Sequence, residues 1–346
     1  QPEPQPQALT KSQPLPSLRM VRPEAGAYAA NLGASRTLFN VSLNDRADGT
    51  LYTDPHTGET RTSSLWIRNE AGRSKAALSD GQNKTKANRY VMQLGGNVST
   101  WESETAGRLS LGIMGGYAHQ HSTTRNTLTG NEAKGSINGY SVGIYSTWYQ
   151  NPTDKSGLYV DSWLQYGWFN NEVKGNGLAP ETYKSRGLSS SVETGYSWQV
   201  LTLPSSLDIE NSFWLQPRAQ ILWTGIKPES HTERNGTRVE AIESEAVETK
   251  LGVRAFLRSK STQELRISRK FEPYVEANWI HRTEDNGLKM DGDKSWVAGG
   301  RNVGEFKAGI EGRLKDGLSV NLSLAQQIGG KSHRDTEGML SIKYNF

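Results

Sequence analysis

Apolar and polar residues take turns along most of this chain, and that period of two narrows its fold more than any other feature. In LSLGIMGGY, Leu109, Leu111, Ile113 and Tyr117 oppose Ser110, Gly112 and Gly116. In YSVGIYSTW, Tyr140, Val142, Ile144 and Trp148 oppose Ser141, Gly143 and Thr147. FKAGIEGRL sets Phe306, Ala308, Ile310 and Leu314 against Lys307, Gly309, Glu311 and Arg313. The last nine residues, GMLSIKYNF, set Leu340, Ile342, Tyr344 and Phe346 against Met339, Ser341, Lys343 and Asn345. About twelve such segments are expected, starting near residues 63, 85, 107, 135, 157, 182, 213, 245, 272, 303, 318 and 336.

Ribbons with one oily face also build soluble sandwiches, so the other face decides. Glu193, Arg218, Arg254, Glu276, Lys307, Glu311 and Arg313 all fall opposite apolar residues. Buried unpaired in a dry core, each would cost several kcal/mol. In a barrel with a polar lumen they stay hydrated or pair across the interior. The apolar face then meets lipid. Trp148, Trp168, Trp198, Trp223 and Trp279 lie towards segment ends, as interfacial girdle residues do. Closure removes the unpaired strand edges that lipid does not tolerate.

Connections after segments one, three, five, seven, nine and eleven are expected to be long and polar, HQHSTTRNTLTGNEAKG and KPESHTERNGTRVEAIESEA among them. Those after two, four and ten are expected to be short: ESETAG, NPTDKSG and KDG. Those after six and eight are longer than this rule. The expected fold is therefore all-β, a 12-stranded antiparallel transmembrane β-barrel.

Hydrophobic residues at 34% and a mean hydropathy of -0.68 are no objection, because alternation averages hydrophobicity away. No apolar run approaches the roughly 18 residues of a membrane helix. Ten Trp and 13 Tyr argue against disorder. The net charge of +4 comes with mixed signs and no cluster of Lys and Arg in the sequence, which argues against a nucleic-acid groove. Cysteine is absent, so disulfides, zinc–thiolate sites and cysteine nucleophiles are excluded.

Residues 1–21 open with a Pro- and Gln-rich linker, and no charged-then-apolar leader precedes it. Residues 22–39, RPEAGAYAANLGASRTLF, are expected to form a slender α-helix: Pro23 and Glu24 suit its first turn, and Ala25, Ala29, Ala30, Gly33 and Ala34 keep it thin around Asn31. Such a helix is a poor core element for a soluble domain but fits the lumen of a 12-stranded barrel. Residues 40–62 then connect it to the barrel of residues 63–346.

The helix pattern, the twelve glycine-rich strands and the ending SIKYNF together resemble the C-terminal translocator domain of monomeric type V autotransporters, the AIDA-type adhesin group in particular. The resemblance covers roughly residues 20–346. It implies a Gram-negative outer membrane, a monomer in contact with outer-membrane lipid, and export of an N-terminal passenger to the cell surface. It also implies insertion by the barrel-assembly machinery, aided by periplasmic chaperones, with Leu340, Ile342, Tyr344 and Phe346 as the C-terminal assembly signal. Ser341 departs from the family's usual glycine at that place. Some members cut their passenger inside the pore with an Asn–Asn pair near the helix. Here the helix holds only Asn31, and Asn170-Asn171 lies at a strand end, so no cleavage within the barrel is expected.

Rival chemistry is thin. His119 and His121 would share a strand face, but a third metal ligand is not evident and a solvated loop mouth explains them. Ser122 beside His121 is adjacency, not a triad. His281, Glu284 and Asp285 in HRTED evoke acid–histidine pairs, as many polar loops do. No cofactor and no catalytic residue is expected. Besides a translocator, a solute channel and a barrel hydrolase stay open as alternatives.

Overall fold

Twelve antiparallel strands follow one another around the molecule: β1 (Ser64–Ala77), β2 (Asn83–Ser103), β3 (Gly107–Asn126), β4 (Glu132–Tyr149), β5 (Gly157–Gly175) and β6 (Glu181–Leu203). β7 (Ile209–Thr224), β8 (Ala246–Ser261), β9 (Lys270–Arg282), β10 (Asn302–Arg313), β11 (Leu318–Gly329) and β12 (Arg334–Asn345) complete the round. The structure, a computed structural model, describes residues 19–46, 52–53, 60–61, 64–203, 209–242, 245–261, 270–314 and 317–346. Each strand pairs with its sequence neighbours, and β12 pairs with β1 from Arg334↔Lys75 to Asn345↔Ser64. The sheet is a closed barrel. Every expected segment is present, the largest displacement of a start being Ile209 against an expected 213.

The alternation sorts side chains as the period of two requires. Leu322 and Leu324 are 52% and 68% exposed, while Ser323 between them is 3% exposed. Ile113, Val142 and Ile144 face outward in the same way. Tyr117, Tyr140 and Trp168 meet as tilted rings across β3, β4 and β5 with centroids 5.3 and 6.1 Å apart, an aromatic belt at one margin of the apolar band. At the other margin Trp148 donates from Nε1 to the carbonyl of Ala106, at 2.8 Å, in the turn between β2 and β3.

The connections differ from expectation. HQHSTTRNTLTGNEAKG, expected as a loop, is strand as far as Asn126 and again from Glu132, leaving only residues 127–131 between. Residues 78–82, 176–180 and 330–333 are equally brief joins at the same end. The strands run on past the aromatic belt, and the ladders between β1 and β6 continue where water replaces lipid outside. Polar residues then occupy the outward positions, so the segment loses the contrast that marks a strand in sequence. His119 and His121 accordingly sit on β3 rather than in a loop mouth.

At this end residues 225–245 and 283–301 are the long joins, and their described residues share structure. His231–Thr232, Arg238–Ala241, Gly287–Met290 and Asp293–Trp296 form a four-stranded sheet over this mouth of the barrel. The connections after β2, β4 and β10 are short, as expected. Those after β6 and β8 lie outside the described residues.

Ile144→Lys, between Tyr140 and Trp148 on the lipid face of β4, is expected to destabilise the barrel by about 2–4 kcal/mol. Leu128→Lys, in the turn beyond β3, is expected to change stability by no more than about 0.5 kcal/mol. Urea titrations in phospholipid vesicles measure both, and equal effects would show that the apolar band is not where lipid sits.

Candidate functional site: the threaded lumen

Residues 19–46 run through the barrel. α1 (Glu24–Thr37) starts after Pro23, whose φ of −67° is already helical, with Glu24 in the first turn and Arg36 in the last complementing the helix dipole. It is shorter than the expected 22–39. Leu38 makes the last helical bond, to Ala34, Asn40 closes a turn on the Thr37 carbonyl, and from Phe39 on the barrel wall supplies donors instead.

The helix leans to one side. Its tightest approaches are to β3, β4 and β5, where a Cβ at Gly26 would collide with Thr124 and one at Gly135 would lie 3.2 Å from the carbonyl of Ala27 and from Asn31 Oδ1. Asn31 donates to the carbonyls of Ser136 and Glu172, at 3.2 and 3.3 Å. Ala34, Leu38 and Phe39 pack with Val91, Ala118, Ile137, Phe169 and Ile226. At the capped mouth the Tyr28 hydroxyl donates to Glu233 at 2.9 Å and lies 3.0 Å from His231. Arg22 donates to Glu233 at 2.9 Å and pairs with Glu24 at 3.3 Å. The carbonyl of Val21 accepts from Asn83 and Asn126, so the chain N-terminal to the helix leaves through this mouth.

Beyond the helix, the wall grips the main chain. Gln93 and Gln165 donate to the carbonyl of Phe39, at 3.2 and 3.0 Å. Trp163 and Gln220 donate to that of Val41, at 2.9 and 3.1 Å. The Leu43 amide donates to Glu193 at 3.1 Å. Asn321 and Ser341 donate to the carbonyls of Asn44 and Asp45, at 3.2 and 2.6 Å. These bonds address peptide groups and read no side chain.

Charges anchor the end of the segment. Arg46, wholly buried, pairs with Asp161 and lies 4.3 Å above the ring of Tyr145. Lys307 donates to Asp45 at 3.1 Å. Arg218 donates to Glu276 at 2.6 Å, and Arg254 bridges Glu276 and Glu311 at 3.4 and 3.0 Å. Of the lumen charges read from the sequence, Glu193, Arg218, Arg254, Glu276, Lys307 and Glu311 thus join one another or the threaded chain. Arg313, half-buried near the turn after β10, makes no direct ion pair with them but lies in the field of Glu272 and Glu311.

Opposite the wall on which α1 leans lies a cavity of about 220 Å³. Gly26, Ala29, Ala30, Gly33 and Ala34 form its helical side. Its barrel side carries a second network, in which Arg89 joins Glu70, Asp335 and Glu337, and Lys250 pairs with Glu305. At the mouth, burial holds the His333 imidazole below its ordinary value, Arg282 adding to the effect and Asp335 opposing it.

The sequence reading missed the glutamine and tryptophan donors, the Arg46–Asp161 pair and the Tyr28–Glu233 clasp. Gln93, Gln165 and Gln220 had a signal: each is a long uncharged amide at an inward position in mid-strand. His119 and His121 face outward with rings 5.5 Å apart, and no metal-binding cluster of three His, Cys, Asp or Glu occurs among the described residues. His281 is 2.9 Å from Asn302 through Nδ1. Burial raises the Asp285 carboxyl, with Arg301 opposing.

The autotransporter beta-domain family model matches residues 65–325. The chain belongs to that family. Autotransporter adhesin AIDA-I of Escherichia coli is 42% identical over 338 residues, 98% of this chain and 26% of AIDA-I. Uncharacterized protein YdeU of Escherichia coli K12 is also 42% identical, over 94% of this chain and 70% of YdeU. The crystal structure of the transport unit of AIDA-I superposes with a TM-score of 0.84 at 42% identity, covering 94% of this chain and all of that unit. This is an autotransporter translocator domain, a β-barrel of the outer membrane, and it spans about a quarter of AIDA-I's length.

In this translocator domain, Leu340 and Tyr344 are exposed on the lipid side of β12, Phe346 just past its end stacks on Tyr344 at 6.1 Å, and Ile342 shares their face.

Arg46→Met should cost about 3–5 kcal/mol, because it leaves the Asp161 carboxylate buried alone. Adding Asp161→Leu should recover most of that loss. Equilibrium unfolding of the three proteins measures this, and additive penalties would show that the pair is not coupled.

Proposed function

We propose that this chain is the membrane end of a longer surface protein, exporting an N-terminal passenger through its lumen and then anchoring it. The set of lumen donors on main-chain carbonyls carries this reading. Every residue type offers the same carbonyl, so such a lumen accepts an extended chain of any sequence. The passenger crosses as a hairpin, without ATP, driven by barrel closure and its own folding. Glu24, Ala25, Ala29, Ala30, Asn31, Gly33 and Ala34 are the last stretch left in the pore, and their small side chains let it slide and settle.

In this reading residues 1–21 are the linker to the passenger, 22–39 the pore segment, 40–62 the connector and 63–346 the barrel. Glu193, Arg218, Arg254, Glu276, Lys307, Glu311 and Arg313 keep the path polar. The barrel-assembly machinery takes the outward row of Leu340, Ile342, Tyr344 and Phe346 as its signal, periplasmic chaperones deliver the chain, and the product is a monomer.

A solute channel is the second reading, and the cavity beside α1 favours it. Planar-bilayer conductance with and without residues 1–39 separates the two. A large rise on truncation is expected for a plugged translocator, and unchanged conductance refutes the plug. With a passenger fused upstream, the combined change Gln93→Leu, Gln165→Leu and Gln220→Leu should slow its arrival at the cell surface several-fold. Normal arrival on a folded barrel would overturn the carbonyl-track reading.

A further inference from the structure

The outer wall beyond the aromatic belt carries basic residues that the sequence keeps far apart and the register brings together. Lys75 on β1 lies directly opposite Lys86 on β2, and Lys86 opposite Thr123 on β3. Thr123 faces Lys134 on β4, which faces Lys174 on β5. All four lysines are exposed. The row continues in Lys184 and Arg186 on β6, the latter opposite Trp168. Like charges directly opposite each other weaken a sheet. None of the four lysines forms an ion pair among the described residues: the exposed Glu132 and Glu172 flank Lys134 and Lys174 two residues away, but Glu132 lies 4.0 Å from Arg125, and Glu172 faces Ser136 and Thr182. An ordinary solubilising surface would mix the two signs.

The row also keeps a fixed offset from the aromatic belt, six residues along each of β3, β4 and β5. Tyr117, Tyr140 and Trp168 mark the lipid interface, and the lysines begin a few residues further along the same outward faces. Six residues of a tilted strand put the row on the order of 15 Å above the belt, the reach of a large phosphorylated headgroup of the adjacent leaflet, and an anion there meets several ammonium groups at once. We propose that Lys75, Lys86, Lys134 and Lys174 form a binding site for a multiply phosphorylated lipid of the outer leaflet, its acyl chains on the apolar band and its phosphates across the lysine row. The site relieves the like-charge strain in the sheet and ties β1–β5 to the leaflet. From the function proposed above it takes only that the strand extensions face outward; passenger export could fail without affecting it.

The test uses the whole chain, folded in detergent, with hexa-acylated bisphosphorylated lipid A as probe and native mass spectrometry as readout. Heat-modifiable mobility first shows that each protein is folded. The variant Lys75→Gln, Lys86→Gln, Lys134→Gln, Lys174→Gln should bind at least about tenfold more weakly, since each basic group near an anionic lipid surface counts several-fold. The same four positions changed to Arg should retain binding, and Lys134→Gln with Lys174→Gln alone should fall between. Lys289→Gln, Lys294→Gln, Arg301→Gln and Lys331→Gln together make the same charge change elsewhere and should leave binding intact. Unaltered binding by the first variant overturns the site. So does equal loss in the charge-matched control, equal binding of dephosphorylated lipid A, or displacement of the lipid by equimolar inorganic phosphate.

Discussion

The pairing of β12 with β1 is the constraint on which everything else depends. In hydrocarbon no water satisfies a bare N–H or C=O, so an open sheet edge is excluded and the first strand must meet the last. The ladder from Lys75↔Arg334 to Ser64↔Asn345 supplies that closure. It also explains the period of two with which the chain is written. Once the ring is shut, each strand has a lipid side and a lumen side, and the two need opposite chemistry.

Inside, the molecule solves a second problem with the same economy. A lumen this wide would leave charged side chains facing one another across water, yet most described ones are paired. Arg218, Arg254, Glu276 and Glu311 form a chain of contacts, and Lys307 reaches Asp45 on the threaded segment. The segment also has polar needs of its own, since between Leu38 and the 3-10 turn of Asn44–Arg46 it is not helical. Gln93, Gln165, Trp163 and Gln220 supply donors there. Plug and wall therefore complete each other's hydrogen bonding, which an apolar packing interface could not do.

Much of this was legible in the sequence, because it rests on local pattern. Strand starts, the slender helix and the inward charges all follow from residues a few positions apart. What was not legible depends on register. That Arg46 meets Asp161, or Tyr28 meets Glu233, is decided by where the segment stops in the pore, and no spacing encodes it. The strand extensions were hidden for another reason. From His119 to Arg125 the outward residues are as polar as a loop, and only the inward Ala118, Ser122 and Thr124, buried against the lumen, distinguish the two. The lysine row was invisible for the same cause: Lys75, Lys86, Lys134 and Lys174 become neighbours only when the strands align.

Those extensions turn the barrel into a chimney. From Tyr117 in the aromatic belt to Asn126 at its tip, β3 climbs roughly 20 Å beyond the hydrocarbon, allowing for strand tilt. The bore on that side therefore opens well above the apolar band rather than at its edge, and the threaded segment meets water there instead of the membrane surface.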